Sequence, residues 1–311
     1  MTTENQKFSR REFLKDTTLA AAGMALCGTL AGSEANGEVV QKARKDPANF
    51  VTRPRSKVVL IRDKNVITAT GAVDAAVAAR MIDEALCELV GTGKPDDAWR
   101  QLFGSNDLAG IKTNVYAHLP TPPELNELLK KRLTACGLSK ASIPVTDREA
   151  HTLLADRTAI LNVRPVRTHH WSGIGGCIKN HIMFVENPAD YHADSCADLG
   201  AIWNLPILKG KTRLNILLAL NPLFYGRGPH NFDPRHQWNY NGIFISTDPV
   251  AVDALGAELL RLKRIDHFGE DKAVTPTKHI EVAETKHGLG VSDVGRIDLV
   301  RLGWKDGILL K

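Results

Sequence analysis

Three stretches decide the fold: Lys57-Val-Val-Leu-Ile61, then Val73-Asp-Ala-Ala-Val77-Ala-Ala-Arg-Met81-Ile-Asp-Glu-Ala85-Leu-Cys-Glu-Leu89, then Leu108-Ala-Gly-Ile-Lys112. The first and third are short apolar runs with the length of a buried strand. In the second, Val73, Val77, Met81, Ala85 and Leu89 recur every four positions, with Ile82 and Leu86 beside them. That spacing is one face of a helix, which Gly91 ends. Strand, helix, strand in this order predicts parallel strands joined by a helical crossover.

The same alternation continues outward. Thr121-Pro-Pro-Glu124 reads as an N-cap with proline in the first turn of a helix running through Cys136 to Gly137. Ser142–Val145 and Ala159–Val163 are the third and fourth strands, and Arg213–Leu220, Gly242–Ser246 and Ile297–Leu302 are later ones. Thr247-Asp248-Pro249 starts a helix to about Leu262, with Val252, Leu255, Leu259 and Leu262 inward. Asn221–Asn241 is rich in Pro, Gly, His and aromatics and reads as a long ordered loop. The expected fold is therefore α/β, a mainly parallel sheet with flanking helices and a long loop-rich insertion in the second half.

Composition sets the outer limits. The chain has 311 residues, 43% of them hydrophobic and 24% charged, which excludes a disordered, collagen-like or membrane-embedded protein. Its formal charge of +5 is mild and calls for no nucleic-acid partner. No segment after the N-terminal region is long and apolar enough for a membrane span.

Ser9-Arg10-Arg11-Glu12-Phe13-Leu14-Lys15 is a twin-arginine motif, followed by a weakly apolar stretch from Thr17 to Gly32 and by Ser33-Glu34-Ala35. A basic n-region, a short apolar region and a small-residue end make a signal peptide. The expected organisation is a twin-arginine signal over residues 1–35, a polar linker over 36–56 and an α/β domain over 57–311. The expected location is periplasmic or extracellular, with the twin-arginine translocation machinery as partner and no stable membrane span after cleavage. That route carries folded proteins, often ones that acquire a cofactor first. A metal ion is thus admitted as cofactor, while the scattered Cys87, Cys136, Cys177 and Cys196, with no CxxC pair, exclude an iron–sulfur cluster from the expectation.

Several groups of residues carry chemistry. Lys112 and Asn114 follow an apolar strand and share one face of the extended chain, where a carboxyl-edge crevice opens. An ammonium and an amide suit a carboxylate or a phosphate. The stretch Trp171-Ser-Gly-Ile-Gly-Gly-Cys-Ile-Lys179-Asn180-His181 offers backbone N–H groups ahead of a helix, together with the Lys179 charge and the Asn180 amide. Its spacing fits neither a Walker motif nor a dinucleotide fingerprint. All 11 histidines lie after residue 117. His169, His181 and His192 fall near the glycine-rich stretch as acid–base or metal candidates, and His230, Asp233 and His236 form a second group in the loop. Asp248 is read as a helix cap with Pro249 at the first position, and Asp253 as a carboxylate favoured near a helix start.

Taken in order, Lys112-Thr-Asn114, Thr121-Pro-Pro-Glu124, a strand ending near Asp147, Leu161-Asn-Val-Arg164 with Thr168-His169, Lys179-Asn180-His181, Gly226-Arg-Gly-Pro229 and Ser246-Thr-Asp-Pro-Val-Ala-Val-Asp253 resemble the domain of unknown function 362 family, from about Val58 to Leu260. The resemblance implies an α/β fold in a family whose members often carry export signals or ferredoxin-like cluster segments. The chain departs from it in lacking cluster cysteines and in showing Leu217-Leu218-Ala219 where the family often has an acidic residue. The functional expectation is an exported, metal-assisted enzyme acting on a small anionic ligand in a cleft at the strand ends. Lys112, Asn114, Lys179 and Asn180 would hold the anion. The alternatives are a non-catalytic periplasmic protein that binds an anion or cofactor, and a subunit of an exported redox complex.

Overall fold

A computed structural model of the chain describes residues 55–228 and 231–311. The twin-arginine motif and the linker up to residue 54 lie outside the described residues, as do Pro229 and His230. The elements in chain order are β1 (Ser56–Arg62), α1 (Ala75–Val90), α2 (Pro95–Leu102), β2 (Ala109–Lys112), α3 (Pro123–Ala135), β3 (Val145–Thr146), α4 (Ala150–Leu153), β4 (Ala159–His169) and β5 (Gly173–Gly175). They continue with α5 (Cys177–Asn180), α6 (Ala193–Cys196), α7 (Gly200–Trp203), β6 (Thr212–Leu223), β7 (Gly242–Ser246), α8 (Pro249–Phe268), α9 (Lys278–Thr285) and β8 (Ile297–Gly303).

The strands form one sheet in the order β3-β2-β4-β6-β7-β1-β8, with β5 paired to β4 off that path. Every strand on the path runs the same way except β7, which is antiparallel to both β6 and β1. The expected α/β fold with a mainly parallel sheet and flanking helices is the one observed.

Side-chain alternation sorts the core into two layers. On one face Val59 and Ile61 of β1, Leu161 and Val163 of β4 and Ile243 and Ile245 of β7 pack with Met81 and Leu86 of α1, Trp99 of α2 and Leu129 of α3. On the other, Val58 and Leu60, Ile160 and Val166 and Phe244 pack with Ile178 of α5, Trp203 of α7, Val252, Leu255 and Leu259 of α8 and Ile280 of α9. Strands buried on both faces explain why β1 and β6 read as near-continuous apolar runs.

Local signals account for the helix ends. Asp74 caps α1 by accepting from the Ala76 and Val77 N–H groups, and Gly91 closes it at φ 75°, a left-handed conformation that favours glycine. Asp248 caps α8, accepting from Val250 at 2.8 Å and Ala251 at 3.0 Å, and also from the Val291 N–H at 3.0 Å.

The structure corrects several boundaries. Thr121 does not cap α3; Pro122 holds the cap position, and the Thr121 hydroxyl accepts from the Asn114 N–H at 3.3 Å. β4 runs six residues past Val163, because β6 beside it and β5 beyond it continue the ladder. Likewise α8 runs to Phe268 rather than Leu262, ending where Gly269 turns left-handed. Lys140–Ser142 is a 3-10 turn and only Val145–Thr146 pairs as strand. Cys87, Cys136, Cys177 and Cys196 are all free thiols.

Candidate functional site

The site lies at the carboxyl ends of β2, β3 and β4, on the face covered by α5. Register sets a polar row across the sheet there, since Lys112 pairs with Asn162 and Asn162 with Asn215. Asn162 donates to the Asn215 side chain at 2.9 Å and to the Cys177 carbonyl at 3.1 Å. Asn180 of α5 donates to Asn162 at 2.8 Å and to the Lys112 and Val163 carbonyls at 3.3 Å each. The Asn180 amide is thus a clasp that ties α5 to the edges of two strands.

Lys112 is fully buried, and its Nζ donates to the Asp147 carboxylate at 2.5 Å and to the Thr113 carbonyl at 2.8 Å. Burial lowers this amine to about 8, and Asp147 opposes the shift. Burial would raise the Asp147 acid, but Lys112 and the Val115 N–H bring it below its usual value. Lys112 is therefore a paired charge beneath the pocket.

The glycine-rich stretch takes an unexpected role. The Cys177 and Ile178 N–H groups that open α5 donate to Asp253, at 2.6 and 2.8 Å. The chain's own carboxylate, reaching over from α8, fills the position read from sequence as an anion cradle. A Cβ on Gly176 would sit 2.3 Å from Asp253 Oδ1, so only glycine admits this approach. Burial pushes the Asp253 acid up to about 7, against the pull of the two N–H donors and Arg164.

Above this floor is a pocket of about 230 Å³. Arg164, Lys179, Asn114 and Asn180 line its base, while His169, His192, Trp171 and Tyr116 contribute to its walls. Lys179 is 4% exposed, and its amine donates to the Cys196 thiol at 3.6 Å. Burial lowers the Lys179 amine to about 8, with the Cys196 sulfur opposing the shift and Arg164 adding to it. Cys196 ends a run of three left-handed residues, Asp194, Ser195 and Cys196, at φ 47°, 58° and 61°. Such conformations cost about 1–3 kcal/mol each outside glycine and collect at functional sites.

Arg164 is buried, reaching the Gly176 carbonyl at 3.3 Å, and its Nε has no hydrogen-bond partner. Arg167, also buried, donates to the Leu119 carbonyl and the Asn114 side chain, each at 2.9 Å. Among the described residues, Arg164, Arg167 and Lys179 make no ion pair; of the four buried cations at this site only Lys112 does. A guanidinium stays protonated under any ordinary condition. The pocket, lined by Arg164 and Lys179 with Arg167 bonded to the lining residue Asn114, consequently holds more positive charge than its carboxylates neutralise.

The histidines divide. His169 and His192 both line the pocket. Burial, then Lys179, keeps each of them neutral, with His192 near 4. His181 is directed elsewhere: it is fully buried, stacks on Trp203 at 3.9 Å and pairs with the Thr212 hydroxyl at 2.9 Å. His236 packs on Tyr225 and Phe224, and Asp233 is engaged by Arg235. Among the described residues no three His, Cys, Asp or Glu side chains converge as a metal-binding group. Sequence reasoning passed over Arg164, Arg167 and Tyr116. Arg164 is visible inside Leu161-Asn-Val-Arg164, an arginine directly after the strand run Ala159–Val163.

Fold and site together define an α/β protein with a basic pocket at the strand ends. A family model described as "Domain of unknown function (DUF362)" matches residues 121–258. That span contains Asp147, Arg164, Lys179, Asn180 and Asp253 but not Lys112 or Asn114. No curated protein and no solved structure matches the chain.

Proposed function

We propose that the pocket binds a small anion, a carboxylate or phosphate, as ligand or substrate. The observation that carries this reading is the set of three buried cations, Arg164, Arg167 and Lys179, that make no ion pair among the described residues. A buried charge without a partner costs several kcal/mol, and an anion in the pocket supplies the missing charge. Lys179 and Arg164 contact it directly. Asn114 and Asn180 hold the polar base, and His169 and His192 are neutral acid–base groups at the wall. Lys112 acts one layer down by fixing Asp147.

Export is the second part of the proposal. Arg10 and Arg11 sit in a twin-arginine motif ahead of a short apolar stretch, which supports delivery of the folded protein across the cytoplasmic membrane. Among the described residues no helix is long and apolar enough to cross a membrane. Replacing both arginines by lysine should leave the precursor in the cytoplasm; normal export of that variant would remove the signal assignment.

The anion reading is tested by thermal shift. Phosphate and acetate should each raise the melting temperature of the exported protein, at constant ionic strength set with chloride. The rise should vanish in Lys179→Met and persist in Lys140→Met, a change at an exposed lysine. An equal rise in both variants would reject the pocket as the binding site.

A further inference from the structure

We propose that Lys179 is a carbonyl-reactive amine and that the ligand class is a small 2-oxo acid, which it holds as a Schiff base. This inference rests on the anion reading of the same pocket and adds a reaction to it.

The two lysines of the site differ in what surrounds the nitrogen. Lys112 is locked against Asp147 and has no exposed surface. Lys179 lines the cavity, and its amine donates to a thiol. The Lys112 nitrogen is enclosed, donating to the Asp147 carboxylate and the Thr113 carbonyl, and does not line the cavity. A buried lysine beside another cation is a recognised way to keep an amine nucleophilic. The amine of Lys179, lowered to about 8, is present in part as the free base near neutral pH.

The neighbours supply the remaining parts. Arg164 lines the same base and has a buried Nε with no partner, a site for the carboxylate of a 2-oxo acid. His169 and His192 line the same cavity as neutral imidazoles whose ring nitrogens can hydrogen-bond the oxo group. The cavity of about 230 Å³ limits the ligand to a few carbons beyond the oxo-acid group.

The step balances without an oxidant or reductant. The Nζ lone pair forms a bond to the carbonyl carbon, and the C=O π pair moves to oxygen, which takes a proton. The carbinolamine then loses its hydroxyl group as water while nitrogen gives up a proton and the C=N bond forms. One amine and one carbonyl give one imine and one water. The imine is basic, and in its protonated form it accepts hydride from borohydride to give a stable secondary amine.

The full-length protein, incubated with pyruvate and then sodium borohydride, should carry one reduced pyruvyl adduct by intact mass, mapped by peptide mass to Lys179. Both Lys179→Met and Lys179→Arg should lose the adduct. Lys179→Arg, which keeps the charge, should still gain thermal stability from phosphate. Acetone, which has the carbonyl but no carboxylate, should label Lys179 far more slowly than pyruvate, and Arg164→Gln should narrow that difference. Phosphate stabilisation with no pyruvate adduct in the wild type would overturn the Schiff-base proposal and leave the anion reading in place. An adduct that persists in Lys179→Arg would overturn it as well. Absence of both adduct and phosphate stabilisation would overturn the two together.

Discussion

Lys112 lies buried beneath the pocket and Lys179 lines it, and burial brings both amines to about 8. They differ in the partner. Lys112 faces a carboxylate at 2.5 Å, whereas Lys179 faces a thiol at 3.6 Å. A buried pair is close to neutral for stability as a unit and costly to break. A buried cation that lacks a pair is a burden on the fold until an anion arrives. The contrast teaches that depth alone does not separate scaffold from binding group; the charge balance around each group does.

This comparison can be broken most sharply at Lys112. Replacing it by Met leaves Asp147 buried and uncompensated, so stability should fall by about 3–5 kcal/mol in chemical denaturation. Pairing that change with Asp147→Leu should recover most of the loss. A single Lys112→Met as stable as wild type would remove the scaffold role.

Asp253 is the next largest. Asp253→Ala orphans the Cys177 and Ile178 N–H groups, and the cost should be about 2–3 kcal/mol, the penalty for buried donors left unmade. Hydrogen exchange should quicken at those two amides. Unchanged exchange there would mean that α5 does not depend on this contact.

Lys179→Met should act in the opposite direction to Lys112→Met. Without anion the variant should be at least as stable as wild type, by about 1 kcal/mol, because an apolar side chain replaces an unpaired buried charge. Its advantage should shrink from pH 8 to pH 10.5. In the folded chain Lys179 releases its proton near 8, below the usual 10.5, so between those values the unfolded chain binds more protons and wild-type stability rises with pH. A variant less stable than wild type at pH 7 without anion would place Lys179 with Lys112 as scaffold.

The smallest effect is the pH dependence of binding. Sulfate, which does not titrate in this range, should lose affinity above pH 8 by about tenfold per pH unit as Lys179 deprotonates. A flat profile to pH 10 would assign the binding charge to the arginines alone.

Much of the fold is legible in the sequence because its signals are local. The β7 boundaries follow from an apolar run between turn residues, α1 from periodicity and its closing Gly91, and the start of α8 from Asp248 and Pro249. Short α2 and α9 escaped notice, since each has few apolar positions and gains its helix from packing on the sheet. At the site, strand alternation placed Lys112 and Asn114 together, and Lys179, Asn180, His169 and His192 were named from composition and spacing. The roles of these residues were not legible. Asp253 meets Cys177 from 76 positions away and Asp147 meets Lys112 from 35. Those two contacts decide that the glycine-rich turn is occupied by the chain's own carboxylate and that Lys112 is paired. His181 stands beside Asn180 in sequence yet points to Trp203, because the helical turn sends adjacent side chains in different directions.

The central claim is that the unpaired cations at the pocket base constitute an anion site. Calorimetric titration of inorganic phosphate into wild type and Lys179→Met at pH 7 tests it most directly. Loss of a hydrogen bond to a charged group is worth about 1.5–3 kcal/mol. The account therefore expects one site in the wild type and an affinity about ten- to a hundredfold weaker in the variant, with Lys140→Met unchanged. Equal affinity in wild type and Lys179→Met, or no phosphate binding by the wild type, would contradict it.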